Sequence, residues 1–279
     1  MTRLLREETQ RTLVRHGIQL DPALDEQHLV DPLVIDSLIE NAEVGAGDTT
    51  LEIGAGLGNI TVPLAARSGR VVAVEKNPKF IPPLVERTFT LANVEIINDN
   101  ALAMRLPCFT KLVSNLPYSI CEAVLNRLTH TDFNKASLIV SSTFANTITA
   151  DPGNLHYSHL TLVANTFYEI DRVQEIEPGS YHPPSGVSTS MITLSPREAE
   201  NRVQAITHRL LLHEGMKLRN ALRESLISTS SRYGGPSTKR EARLRVEAMN
   251  LSPIILEKRV ARLSLNDLRA LTRALHDHI

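Results

Sequence analysis

The feature that most constrains this chain is an apolar run, Leu51-Glu52-Ile53, that breaks into Gly54-Ala55-Gly56-Leu57-Gly58 and is followed by a second apolar run ending in Glu75. Glycine accepts positive φ and lets another group approach the backbone. Three glycines alternating directly after a strand-like run therefore mark a sharp bend against which a ligand can lie. Glu75 follows Gly56 by 19 residues. A carboxylate at the end of the neighbouring strand can accept both hydroxyl hydrogens of a ribose. The dinucleotide fingerprint wants its third glycine at position 59, where this chain has Asn59. The form E-x-G-x-G-x-G, opened by Glu52, instead suits a nucleoside cofactor without a pyrophosphate.

Such a bend needs a sheet behind it, and the flanking pattern provides one. Residues 31–43 have helical spacing, with Leu33, Val34, Leu38, Ile39 and Ala42 on one face. Strand patterns at 49–53, 70–74, 94–98, 111–114 and 136–141 alternate with helical ones at 59–68, 78–90 and 120–128. This alternation predicts crossover connections and a doubly wound, Rossmann-like α/β sheet. A helix over 155–165 and a closing strand pair, 168–176 and 188–194, follow around the proline-rich loop 177–184. Beyond Pro196 the pattern is helical throughout, at 198–213, 217–227, 238–250, 252–259 and 264–278, with Ser264 and Asp267 at a capped start. The expected organisation is a catalytic domain at 1–195 and a smaller all-helical domain at 196–279. Within the first, 1–30 forms an N-terminal helix and a segment that closes over the cofactor. The Ser/Gly-rich stretch 228–237 reads as a mobile loop.

Charge divides at the same place. From Pro196 onward there are 16 Lys and Arg against 9 Asp and Glu, a net of +7, while the remainder carries 14 against 22, a net of −8. A basic tail on an acidic body points to a polyanion partner. Cys108 and Cys121 are the only cysteines, with no C-x-x-C and no metal-spaced histidines, so the expectation is a reducing, cytoplasmic compartment and no metal. No run of about 18 apolar residues exists, and the N-terminus lacks the apolar core of a signal peptide. A membrane is not an expected partner, and a monomer is the expected state.

Two further polar clusters fall at strand ends. Asp99 and Asn100 close the third strand, and Asn100 can accept from an adenine amine while donating to a ring nitrogen. Asn115-Leu116-Pro117-Tyr118 closes the fourth. The Asn115 amide and the Leu116 peptide carbonyl offer two acceptors for an amine. Pro117 fixes the turn, and Tyr118 gives a flat face for stacking. Tyr181, in the proline-rich loop, is placed to cover the opposite face of a base drawn out of its stack. Acceptors around an aromatic amine are what methyl transfer to adenine from S-adenosylmethionine needs, because the nitrogen is the reluctant partner.

At these residues the chain resembles the ribosomal RNA adenine dimethyltransferases, the family of the small-subunit dimethyladenosine transferases and the erythromycin-resistance methylases. The resemblance rests on Glu26-Gln27-His28-Leu29-Val30-Asp31, the glycine turn, Val72-Ala73-Val74-Glu75, Asn115-Leu116-Pro117-Tyr118-Ser119-Ile120, Pro178-Gly179-Ser180-Tyr181-His182-Pro183-Pro184 and Arg262-Leu263-Ser264-Leu265-Asn266-Asp267-Leu268. Lys217-Leu218-Arg219-Asn220-Ala221-Leu222 is similar to a helix of the archaeal and eukaryotic small-subunit branch. It implies that Gln27, His28 and Leu29 close over the methionine end of S-adenosylmethionine. Gly54, Gly56 and Glu75 then hold methionine and ribose, Asn100 the adenine, and Asn115 the target amine, yielding N6,N6-dimethyladenosine in ribosomal RNA, free or in an assembling subunit. Arg219, Arg223, Lys239, Arg240, Arg243 and Arg245 become candidate phosphate contacts. The chain departs from the family pattern at Asp21, Asp25 and Glu26, where basic residues are usual, at Asn100 in place of Asp, at Ser141–Asn146, and at Ser185-Gly186 after the prolines. Three alternatives stay open: a nucleic-acid-binding assembly or transcription factor that keeps the pocket, a paralogue acting on another RNA or DNA adenine or a protein amide, and a nicotinamide oxidoreductase, for which Asn59 is a poor fit.

Overall fold

Strands rich in Val, Ile and Leu can be buried on both faces only if helices cover both, and this is how the chain folds. The computed structural model of the protein describes residues 2–21, 25–151 and 153–279. Residues 1, 22–24 and 152 lie outside the described residues, and with them part of the expected N-terminal helix and closing segment. The elements in chain order are α1 (Thr2–Arg15), β1 (His28–Leu29), α2 (Pro32–Asn41), β2 (Thr49–Ile53), α3 (Thr61–Ala65), β3 (Arg70–Glu75), α4 (Ile81–Thr88), β4 (Val94–Asn98), β5 (Lys111–Asn115), α5 (Cys121–Leu128), β6 (Lys135–Ser141) and α6 (Ser142–Ile148). There follow α7 (His159–Phe167), β7 (Tyr168–Ile176), β8 (Tyr181–His182), β9 (Thr189–Pro196), α8 (Arg202–Leu211), α9 (Leu218–Tyr233), α10 (Lys239–Ala248), α11 (Pro253–Glu257) and α12 (Leu265–His278).

Seven strands form one sheet in the order β4-β3-β2-β5-β6-β9-β7, as the doubly wound reading expects. The pairs β2–β3, β3–β4, β2–β5 and β5–β6 are parallel, and β9 returns antiparallel to β6. The chain winds outward from β2 through β3 to β4, then crosses back to β5. The reversal therefore falls between β2 and β5, and ligands of such sheets bind at the carboxyl ends of the strands beside it. The core is dense there: Val71, Val72, Ala73, Leu112, Val113, Ile139 and Val140 are fully buried.

The chain divides into two compact units. One comprises Met1–Thr149 and Glu169–Pro196, the other Ala150–Tyr168 and Arg197–Ile279. The segment holding α7 thus packs with the helical tail, although its place in the sequence reads as part of the first domain. Its apolar side, with Thr161, Val163, Ala164 and Phe167 buried, explains the assignment. Inside the helical unit Phe167 stacks on the His208 ring of α8 at 4.7 Å between centroids.

Residues 228–233, read as the start of a mobile loop, are helical. The hydroxyls of Ser228, Thr229 and Ser230 hydrogen-bond back to carbonyls of Ser225 and Ile227, which satisfies polar groups that otherwise favour turns. The helix stops at Gly234, whose φ of +74° leaves the helical region. The helix expected over 59–68 is shorter, Thr61–Ala65, because Gly58 has a φ of +82° and the Asn59 side chain is engaged elsewhere. The two-residue pair β1–β8 has no signal in the pattern; its register sets His28 opposite His182 and Leu29 opposite Tyr181.

Candidate active site

The parallel register pairs Thr50 with Lys111 and Leu51 with Leu112, so the glycine bend and the Asn–Pro corner emerge side by side from β2 and β5. They touch. A Cβ placed on Gly54 would lie 3.4 Å from Pro117 Cδ and 4.0 Å from the Asn115 carbonyl oxygen. Gly54 has a φ of +81° and donates its N–H to the Val74 carbonyl at 2.8 Å, which ties the bend to β3 as well. At Gly56, φ is +54° and an added Cβ would lie 2.9 Å from both Cε1 and Nδ1 of His28. The imidazole therefore rests on bare backbone.

Glu75 stands next to this loop, buried, at the end of β3. Its Oε2 accepts the Gly56 N–H at 2.8 Å, and its Oε1 accepts the Asn77 N–H at 2.7 Å. Burial raises its pKa while those two backbone donors act against the rise. Each carboxylate oxygen keeps a second acceptor direction. Glu52 lies deeper. Its Oε2 accepts from the Thr61 hydroxyl at 2.6 Å, its Oε1 has no partner, and burial, together with the Glu75 charge, raises its pKa to about 8. His28 is buried with its Nε2 unpartnered and its ring edge-on to Phe80, and burial above all holds its pKa at about 3. It is a neutral ring at any ordinary pH.

On the other side of the bend, Asn115 Oδ1 is buried and has no hydrogen-bond partner among the described residues. Leu116 is buried and anchored through its N–H to the Ile139 carbonyl at 3.0 Å. The Pro117 carbonyl accepts from Ile120, which closes a short turn. Tyr118 is half-buried, its pKa raised by burial, and its hydroxyl lies 3.2 Å from Ser185 Oγ. Asp25 accepts from the Ser119 N–H at 3.1 Å, fixing the corner from the N-terminal side. Asn100 uses its side-chain oxygen to accept from the Leu102 N–H at 3.0 Å, leaving its Nδ2 toward other partners. Gln27 is half-exposed and Leu29 is a core residue.

One expectation is corrected. Tyr181 is fully buried, its hydroxyl 2.7 Å from Thr189 Oγ1 and its ring in a core cluster with Ile35, Leu38 and Met191. A ring without an exposed face cannot cover a base; it backs Tyr118 instead. The departures from the family pattern also find physical reasons. Glu26 is not a surface charge: it is buried, accepting from Lys79 Nζ at 2.6 Å, Asn77 Nδ2 at 2.9 Å and the Asp21 N–H at 2.7 Å. Ser185, where proline is usual, anchors Tyr118 and bonds both the N–H and the carbonyl of Val187. Ser141 caps α6, and Ser142 reaches Glu175 and Ser190.

The pattern gave no sign of what Asn59 does. Its Nδ2 donates to Thr9 Oγ1 at 3.0 Å and to the Leu29 carbonyl at 2.8 Å, and its Oδ1 accepts from Arg87. Arg87 continues to the Leu57 carbonyl at 2.9 Å and pairs with Glu8 at 3.2 Å. One buried amide thus clasps α1, β1 and α4 onto the glycine loop. The only available signal was its position directly after Gly58.

In the helical unit the candidate phosphate contacts differ among themselves. Arg219 pairs with Glu257 at 2.6 Å and Arg243 with Glu247 at 3.4 Å, Arg223 bonds Asn220, and Arg245 donates to the His278 carbonyl. Lys239 and Arg240 are exposed. Among the described residues no three His, Cys, Asp or Glu gather as a metal would require, and no helix is long and apolar enough to cross a membrane.

Known proteins similar to this chain fall in one family. The family described as ribosomal RNA adenine dimethylase matches residues 19–234. A "Probable ribosomal RNA small subunit methyltransferase A" of Methanothermobacter thermautotrophicus is 31% identical over 97% of this chain and 96% of its own. Its counterpart in Thermococcus kodakarensis is 35% identical over 76% of this chain and 77% of its own. Among solved structures, a dimethyladenosine transferase from Plasmodium falciparum has a TM-score of 0.61 at 20% identity, covering 89% of this chain and 97% of its own. The 23S rRNA methyltransferase ErmE has a TM-score of 0.59 at 22% identity, covering 89% and 99%; both show the shared fold. With the family matched over most of its length and a relative aligned nearly end to end, the chain belongs to the ribosomal RNA adenine dimethylase family.

Proposed function

We propose that this chain transfers methyl groups from S-adenosylmethionine to the N6 amine of an adenine in ribosomal RNA, giving N6,N6-dimethyladenosine. The observation that carries the reading is the unpartnered, buried Asn115 Oδ1 on a corner in contact with the glycine bend. A buried acceptor left without a donor is costly, and a site pays that cost where a ligand completes the bond.

The residues present fit the cofactor. The remaining acceptor directions of the Glu75 carboxylate suit the two ribose hydroxyls. The missing side chains at Gly54 and Gly56 let Pro117 and the His28 ring pack onto the loop, which sets the Asn–Pro corner and the segment Gln27, His28 and Leu29 around the place proposed for the methionine portion. The free Nδ2 of Asn100 suits a ring nitrogen of the cofactor's adenine. S-adenosylmethionine supplies an electrophilic methyl on a sulfonium centre, so no protein nucleophile is needed. Asn115 Oδ1 and the Leu116 carbonyl accept the two hydrogens of the target amine and hold its nitrogen in line. Pro117 fixes that pair, and Tyr118, held through its hydroxyl by Ser185, lends a face to the base. This is positioning and electrostatic assistance in place of covalent catalysis.

The basic helical unit contributes sequence-independent phosphate contacts, with Lys239 and Arg240 the freest of the six candidate side chains. Unpaired loops are the expected RNA element, since their bases leave the stack readily. The proposal extends to a monomer acting in the cytoplasm on RNA of an assembling subunit; the free thiols Cys108 and Cys121 are in keeping with a reducing compartment. The test is transfer of tritiated methyl from S-adenosylmethionine to unmodified ribosomal RNA, followed by mapping of the labelled base. Label in N6,N6-dimethyladenosine supports the reading. Intact cofactor binding without any transfer to RNA refutes it, and favours a binding factor that keeps the pocket.

A further inference from the structure

The helical unit contains a cavity of about 450 Å³ that plays no part in methyl transfer as described above. It lies between the start of α7 and one face of α12. Leu162 and Leu268 give it an apolar floor, and Tyr157, in the turn before α7, gives it an aromatic wall. Along the rim α12 presents Arg269, Arg273 and His276, at i, i+4 and i+7, so the three share one face of the helix. Among the described residues no acidic side chain lines the cavity.

These charges differ from the paired ones of the unit and, unlike the exposed Lys239 and Arg240, line a cavity. Lys217 and Arg219 share Glu257, Arg243 has Glu247, and Lys258 has Asp267. Among the described residues, Arg269 and Arg273 have no ion-pair partner. Both are exposed. Two unpaired guanidiniums over an apolar, aromatic-walled hollow form a surface complementary to one chemistry: a flat ring carrying negative charge at its edge. Small-ligand sites span roughly 300–1,000 Å³, so the volume suits one nucleotide. An acidic peptide would use the cations but not the hollow.

We infer that this cavity holds one unpaired nucleotide of the RNA substrate, its base against Tyr157 and the leucine floor and its flanking phosphates on Arg269 and Arg273. The assignment rests on the ribosomal RNA reading and adds to it a second point of recognition, separate from the adenine that reacts. Base–aromatic stacking and guanidinium–phosphate pairing are the two forces by which single strands are held.

The test uses the full chain and unmodified ribosomal RNA carrying 4-thiouridine. On irradiation, RNA should become linked to peptides containing Tyr157 or α12. Arg269→Ala with Arg273→Ala should weaken RNA binding about tenfold or more at fixed salt, and should lower the slope of log affinity against log salt by about 2, one for each lost phosphate contact. Tyr157→Ala should weaken binding about tenfold and leave that slope unchanged. Arg269→Lys with Arg273→Lys should restore the slope, which a merely structural role would not do. S-adenosylmethionine affinity and melting temperature should stay at wild-type values in all of these. Wild-type binding and methylation with variants of unchanged affinity and slope would overturn the cavity assignment alone. Cross-linking of α12 to a ribosomal protein in subunit particles, with none to RNA, would do the same. Failure of the wild type to bind or methylate the RNA would overturn both readings.

Discussion

The sheet unit and the helical unit carry their polar chemistry in opposite ways. In the sheet unit the decisive groups are buried and individually placed: Asn115 Oδ1, Glu75 and His28 sit at strand ends, each oriented by backbone bonds or by packing against glycine. In the helical unit the corresponding groups are long cations on exposed helix faces, some paired with glutamates and some unpaired. A reacting amine has to be held within a fraction of an ångström, which rigid strand ends can do. A polyanion requires only charge at roughly the right spacing, which a helix face supplies. The contrast implies that single substitutions should be severe in the first unit and graded in the second.

The largest effect expected is at Asn115. Asn115→Ala should lower kcat/KM for methyl transfer by at least about 100-fold, the scale of losing one preorganised polar partner of the transition state. S-adenosylmethionine affinity, measured by calorimetry, should stay within a few fold. Equal loss of both would mean the side chain holds the fold and not the amine. Gly56→Ala comes next. The added methyl would meet the His28 ring at 2.9 Å on a backbone with a φ of +54°. Strain of this kind costs about 1–3 kcal/mol, so cofactor affinity should fall by roughly tenfold or more, and normal affinity would show that the His28 ring moves aside freely.

A subtler effect concerns pH. Glu52, with its pKa raised to about 8, keeps its proton in the folded protein where the unfolded chain, with the ordinary value of 4.5, has lost it. Unfolding then releases a proton, so stability falls as pH rises from about 4.5 to 8. His28 works the other way: with a folded value of about 3 against 6.5, unfolding takes up a proton, and stability falls as pH drops from about 6.5 towards 3. The two slopes oppose one another between 4.5 and 6.5, and only Glu52 acts from 6.5 to 8. In Glu52→Gln the decline from pH 6.5 to 8, at most about 1.4 kcal/mol per pH unit, should vanish from melts of the cofactor-free protein. A decline that persists would show that Glu52 is already ionised. The smallest effect belongs to the paired cations. Arg219→Ala and Arg243→Ala should each change RNA affinity by less than about threefold, since exposed pairs are worth little in either direction; a loss as large as that expected for Arg269 and Arg273 would erase the distinction between paired and unpaired charge.

Much of this was legible beforehand, because the relevant signals are local. Alternating apolar runs fix a parallel sheet, and a glycine bend at the end of one strand with Glu75 at the end of the next fixes where a nucleoside can lie. Asn115 to Tyr118 could be placed at the same sheet edge from strand order alone. Tyr181 could not: its loop position suggested exposure, yet pairing of β8 with β1 turns its ring into the core. Glu26 stood out only as an acid where basic residues are usual, because nothing in its neighbourhood announces Lys79 and Asn77, more than fifty residues away. Ser228 to Tyr233 read as loop because serine and threonine favour turns, until their hydroxyls found carbonyls within the helix.

By itself, then, the order of residues determined the sheet, its glycine bend, the Asn–Pro corner and the division of charge, since each depends on short-range periodicity, on backbone conformations open to few residue types or on simple composition. Tertiary structure alone decided that Asn59 clasps three elements over the glycine loop, that α7 joins the helical unit, and that Arg269 and Arg273 overlook a hollow without a counter-charge. Those outcomes depend on which distant side chains meet, and a hydrogen bond or an unpaired charge exists only once the partners, or their absence, are fixed in space.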